Sequence, residues 1–167
     1  MILDNIVKKP GIGFNEIARN TKLSNGVVSH YILQLLKDGE IVKSGVRAKY
    51  FHYKISEKDI ELLIALRNKT NYEIVKFLLK MEFPVSAEGI TKAVKKSRST
   101  VSVNLKRLQK MQIVGRKILN KNMKLTSDIG YYVLNEETIR KIFSKYSLNS
   151  YCLYSKFTYS IHENKPK

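Results

Sequence analysis

Along the first fifty-five residues the apolar positions change their spacing several times, and each change marks an element. Residues 2–8 carry apolar side chains at helical spacing and stop at Lys9-Pro10-Gly11, where proline and glycine end a helix. Asn15 is a side-chain cap for a second short helix over 15–20, and Ser24 for a third. In that third helix Val28, Tyr31, Ile32, Leu35 and Leu36 form one stripe at about 100° per residue, the mark of a helix lying against a core. After Gly39 the period falls to two. Ile41-Val42-Lys43 and the segment from Tyr50 to Ile55 read as strands joined by a tight turn at Ser44-Gly45.

The same order returns further along the chain. A shift of 73 positions lays Ile2 on Val75, Ile6 on Leu79, Ile17 on Ile90, Val28 on Val101, Ile32 on Leu105 and Leu35 on Leu108, with Ser24 on Ser97 and Ser29 on Ser102. Past that stretch Ile41-Val42 matches Ile113-Val114 at a shift of 72, which places one deletion in the turn Lys37-Asp38-Gly39-Glu40. Thr70-x-x-Glu73 reads as a capping box, Ser86 as the start of a short helix and Ser97 as the cap of the next. Strands follow near 113–119 and 129–134, around a polar turn, Asn120 to Lys124. Ordered agreement of helix, turn, helix and strand signals favours duplication over chance overlap of two amphipathic stretches.

Between the copies, Ser56-x-x-Asp59 opens a helix through about Asn68. A counterpart, Glu136 to Tyr146, follows the second copy. The expected organisation is a first domain over 1–56, a connecting helix over 57–69, a second domain over 70–135, and a C-terminal helix with an apolar tail over 136–167. Tyr151, Leu153, Tyr154, Phe157, Tyr159 and Ile161 make that tail too apolar for a disordered end. Each of the two helices packs on its own copy or makes a subunit contact, so a homodimer through helix 57–69 or through the C-terminal helix and tail is open. For the tail a dimer contact is slightly favoured over self-packing.

Three helices followed by a two-stranded hairpin is the winged helix-turn-helix plan. The segments from Ser24 to Val42 and from Ser99 to Val114 share a small-Val-Ser turn, a Leu-x-x-Leu stripe and an Ile-Val strand. They resemble recognition helices of the MarR/ArsR-like superfamily of transcription regulators, and two copies in one chain look most like tandem regulators of the archaeal type. The resemblance covers about residues 1–134. It implies a mainly α fold with small β-hairpins (α+β), built as two tandem winged helix-turn-helix domains, and double-stranded DNA as the partner. Two departures bear on it. Cys152, His30, His52 and His162 are scattered, unlike the clustered ligands of metal-sensing relatives, and Met111-Gln112 stands where a glycine turn is usual.

Charge then separates the copies. The 167 residues hold 31 Lys+Arg against 14 Asp+Glu, a formal net charge of +17, which implies a polyanionic partner. From Gly89 through Ser127 the cations Lys92, Lys95, Lys96, Arg98, Lys106, Arg107, Lys110, Arg116, Lys117, Lys121 and Lys124 occur without one acid. A merely solvated face would carry both signs. Copy one is milder, with Glu16, Asp38 and Glu40 among its cations, so copy two is expected to supply more of the affinity. With Val101 inward, Arg98, Ser99, Thr100, Ser102, Val103, Lys106, Arg107 and Lys110 line the groove-facing side and flanks of the second recognition helix. Lys121 and Lys124 belong to its wing. The first copy offers Asn25, Gly26, Ser29, His30 and Lys37, with Arg47 and Lys49 in the wing. Small residues at the helix start admit base edges, while Arg98 reaches guanine or a phosphate. Ser24 and Ser97 stand where helix amides suit a phosphate.

Other chemistries find little purchase. No phosphate-cradling glycine loop, metal-spaced Cys or His pair, or nucleophile motif occurs, so neither enzymatic activity nor a metal or cofactor is expected. The aromatic strands, with Tyr50, Phe51, Tyr53, Tyr131 and Tyr132, read as core plus one exposed face rather than a stacking platform, and His52 reads as structural. No run of 18 apolar residues exists to span a membrane, and no secretory signal is expected at the start. A single cysteine, Cys152, points to a reducing compartment, hence the cytoplasm and its nucleoid. Two alternatives stay open: a protein-protein adaptor in a transcription, replication or chromosome-organising complex, and a sequence-neutral chromatin protein.

Overall fold

A computed structural model of the chain describes residues 1–119 and 129–146. The expected polar turn over 120–124, with Lys121 and Lys124, and the apolar tail from Tyr151 onward lie outside the described residues. The chain divides into two compact units. One holds Met1–Ile64 with residues 141–146, the other Ala65–Arg140.

In the first unit α1 (Ile2–Lys8), α2 (Phe14–Thr21) and α3 (Asn25–Lys37) precede the strands β2 (Ile41–Ser44) and β3 (Lys49–His52). A strand of two residues, β1 (Ile12–Gly13), adds itself antiparallel to β3, giving the order β1-β3-β2. This strand is too short to show a period of two, so the pattern missed it. The core gathers Ile2, Ile6, Ile12, Ile17, Val28, Ile32, Ile41 and Tyr50. The stripe predicted on α3 needs one correction: Val28 and Ile32 are buried, whereas Tyr31 is half exposed and turns its ring edge to His30. Asn15 also loses its expected role. It lies inside α2, whose N-cap is Gly13. The helix α4 (Glu57–Leu66) opens as its sequence implies, the Ser56 hydroxyl accepting from the Asp59 amide at 3.2 Å.

The second unit repeats this order with α5 (Lys69–Leu78), β4 (Val85–Ser86), α6 (Ala87–Val94), α7 (Arg98–Lys110), β5 (Val114–Ile118) and β6 (Ile129–Val133), the strands running β4-β6-β5. Asn68, not Thr70, caps α5. Its Oδ1 accepts from the Asn71 amide at 3.0 Å, and the fully buried Asn71 side chain donates to the Ala65 carbonyl at 3.0 Å, tying the end of α4 to the start of α5. The amide donor joins the Asn68 N–H on the Ala65 carbonyl at the helix end, which the Thr70-Glu73 spacing gave no hint of. The helix α8 (Glu136–Lys145) is held on this side by Arg140, which donates to the Glu136 carboxylate at 2.7 Å and to the Leu79 carbonyl.

The pairs Ile2/Val75, Ile6/Leu79, Ile17/Ile90, Val28/Val101 and Ile32/Leu105 are buried on both sides of the repeat. Backbone hydrogen bonds correct its register. Glu40 N–H donates to Leu35 C=O and Ile113 N–H to Leu108 C=O, while Tyr53 donates to the Glu40 carbonyl and Leu134 to that of Ile113. The shift of 73 therefore continues through the turn and no residue is lost. Val114, not Ile113, stands where Ile41 does. The turn keeps its length because Gln112 adopts φ +54° where Gly39 adopts φ +71°. A side chain in the left-handed region is strained by roughly 1–2 kcal/mol, a cost glycine avoids. Gln112→Gly is therefore expected to stabilise the protein by about 1 kcal/mol in denaturant unfolding, with an unchanged denaturant slope.

Candidate nucleic-acid interface

The surfaces nominated by the sequence are the outward sides of α3 and α7, one in each unit. In each unit an eight-residue helix, a three-residue turn and a thirteen-residue helix follow one another, α2 to α3 and α6 to α7. The turns open with Lys22 at φ 57° and Lys95 at φ 51°, left-handed in both units and 73 positions apart. Each then closes on a serine cap, Ser24 accepting from the Val27 amide and Ser97 from the Thr100 amide at 3.2 Å. The two hydroxyls are thus engaged with their own helices. Both serines are exposed at the starts of these helices.

On α7 the side chains of Arg98, Ser99, Ser102, Val103, Lys106, Arg107 and Lys110 are exposed, opposite the buried Val101, Leu105 and Leu108. Thr100 is half-buried, with its hydroxyl 2.8 Å from that of Ser97. Arg116 and Lys117 on β5 are exposed as well. On α3 the exposed set contains Asn25, Gly26, Ser29, His30 and Lys37, as expected, together with Val27, Leu33 and Gln34. In the first wing Arg47 is exposed beside Val46, which stands free at the tip. Lys49 is half-buried on β3, its ammonium against Gly13, so it is a poorer candidate than its neighbour. His52 accepts a hydrogen bond from the Lys54 amide and stacks on Tyr53 at 4.6 Å, the structural part assigned to it.

One acid bears on the cationic face although it lies just before the acid-free run. Glu88 on α6 pairs with Lys92 at 2.9 Å and approaches Arg98 at 3.8 Å. The hydrogen bond from Lys92, then the charges of Lys92 and Arg98, hold its carboxyl below the usual carboxylate range. It therefore stays anionic at neutral pH and offsets part of the positive charge at the amino end of α7. Spacing on α6 pairs Glu88 with Lys92, but Arg98 belongs to another helix and only the fold brings it near.

Among the described residues no group of three or more His, Cys, Asp or Glu is placed to hold a metal ion, and no helix is long and apolar enough to cross a membrane.

Three helices and a three-stranded sheet make the first unit a winged helix-turn-helix. Residues 1–42 match the family model described as winged helix-turn-helix DNA-binding, so the resemblance drawn from the sequence holds at that level. No curated protein matches the chain by sequence. Among solved structures it is similar to MepR of S. aureus bound to ethidium bromide, at 13% identity and a TM-score of 0.38, covering 81% of this chain and 84% of that one. It is also similar to a possible transcriptional regulator of Methanosarcina mazei Go1, at 21% identity and a TM-score of 0.39, covering 75% and 99% respectively. A protein of Corynebacterium diphtheriae is similar at 10% identity and a TM-score of 0.30, covering 80% of this chain and 25% of that one.

Removing the carboxylate charge tests the electrostatics of the face directly. Glu88→Gln should elute from immobilised heparin at higher salt, with polyanion affinity raised roughly two- to fivefold, the range of a surface ion pair. Unchanged elution would mean that Glu88 does not offset this surface.

Proposed function

We propose that the chain is a non-enzymatic regulator that binds double-stranded DNA with two tandem winged helices, residues 1–56 and 70–135, and acts by occupying operator or promoter sites. The observation that carries this reading is the outward side of α7, where Arg98, Lys106, Arg107 and Lys110 are exposed within a stretch that holds no acid. In such domains the third helix enters the major groove and the wing follows the backbone. Lys106, Arg107, Lys110 and the wing lysines Lys121 and Lys124 meet phosphates in this arrangement, and Arg98, Ser99, Thr100, Ser102 and Val103 stand at the end nearest the bases. Asn25, Gly26, Ser29, His30, Lys37, Arg47 and Lys49 serve the first domain. The protein works in the cytoplasm, on the nucleoid. A homodimer would form through helix 57–69 or through the C-terminal helix and tail.

A second reading, a protein-protein adaptor, draws support from exposed apolar side chains on the second unit: Met81, Phe83, Ile118 and Leu119. It predicts weak DNA affinity that salt hardly alters.

Salt separates the two. With about 6–10 phosphates neutralised, affinity for duplex DNA should fall roughly 10³–10⁵-fold between 50 and 200 mM salt. Lys106→Glu with Arg107→Glu should nearly abolish binding while leaving the unfolding transition in place. Wild-type affinity in that variant at about 100 mM salt, a concentration inside this salt-sensitive range, would refute the assignment.

A further inference from the structure

The constant shift of 73 pairs the exposed positions of the two third helices one to one, and their chemistry differs. Where α7 carries Arg98, Lys106 and Arg107, α3 carries Asn25, Leu33 and Gln34. From Asn25 through Gln34 the helix α3 has neither a cation nor an acid, and Lys37 in its last turn is its first charge. Leu33 is 64% exposed and Val27 40%, separated by side chains that can form hydrogen bonds. Gly26 leaves open space beside them, since nothing lies within 4 Å of where a β-carbon would stand.

These residue types match one half of the major-groove code. Asn and Gln donate to and accept from the adenine edge in a two-pronged bond, and apolar side chains meet the thymine methyl group. Guanine is met by Arg or Lys and cytosine by a carboxylate, and α3 presents none of these before its last turn. Resting on the DNA-binding reading above, we infer that α3 is an A·T reader: Val27 and Leu33 contact thymine methyl groups, Asn25 and Gln34 address adenine, and phosphate affinity is left to α7. A protein partner accounts less well for this surface. Val27, Leu33 and the half-exposed Tyr31 are interspersed with the exposed polar side chains of Asn25, Ser29, His30 and Gln34.

The methyl group can be removed without touching any hydrogen-bonding edge of the base pair. Binding of the full chain to alternating poly(dA-dT), poly(dA-dU) and poly(dG-dC) should be measured by fluorescence anisotropy at several salt concentrations. Wild type should prefer poly(dA-dT) over poly(dA-dU) by roughly fourfold for each methyl contacted. The variant Val27→Ala with Leu33→Ala should bind these two polymers equally, with its salt dependence unchanged. Leu33→Lys, which installs the residue α7 has at the paired position, should bind all three duplexes more tightly and discriminate less. Both positions are exposed, so circular dichroism should show the wild-type fold. Equal wild-type affinity for poly(dA-dT) and poly(dA-dU) overturns the inference, and so does a preference that survives the double alanine variant, which would move methyl reading to Val103 on α7. A change in sedimentation of that variant without a change in the thymine preference overturns it too, in favour of a second copy covering α3. Loss of salt-dependent binding to every duplex is a different result, because it refutes the DNA-binding reading itself.

Discussion

A helix that buries one stripe commits its opposite side to solvent, and in this protein that constraint decides what the surface can do. Val28 and Ile32 hold α3 to its core, and Val101, Leu105 and Leu108 hold α7 to its own. Each such side chain, fully buried, is worth about 1.5–3 kcal/mol relative to exposure, so rotating either helix by a third of a turn would cost several of them at once. The serine caps and the left-handed lysines at the preceding turns then fix where each helix begins. Orientation of Lys106 or Leu33 follows from residues that never touch a ligand.

Most of this was legible in the sequence because it is periodic. The stripe, the serine caps, the hairpins and the 73-residue repeat are local signals, and each appears in the structure at or near its expected place. The misreadings have physical causes. Ile41-Val42 and Ile113-Val114 are alike as pairs of side chains, yet register belongs to the backbone, and Gln112 accepts a strained conformation that keeps the turn at full length. Asn68 caps α5 in place of Thr70, and Asn71, six positions after Ala65, also closes the end of α4. Two-residue strands such as β1 and β4 leave no trace in a pattern whose period is two.

The candidate surface was less completely legible. Its cations could be counted, and those on α7 are exposed as expected. Which of them is already engaged depends on neighbours distant in sequence, as with Arg98 and Glu88. Lys49 shows the opposite case: a wing lysine by position, it is half-buried on a central strand. Leu33 stands opposite the buried Val28 and Ile32 of α3. Its exposure is supplied by the structure, whereas its pairing with Lys106 already follows from the shift of 73.

The constant register has a consequence for how such a chain can change over generations. Positions 25, 26, 30, 33 and 34 are exposed, and surface substitutions away from special features usually alter stability by no more than about 0.5 kcal/mol. Either outward ridge can therefore drift in chemistry while its scaffold stays intact. The residues that hold each fold together and those that face solvent are thus separate sets, free to vary independently.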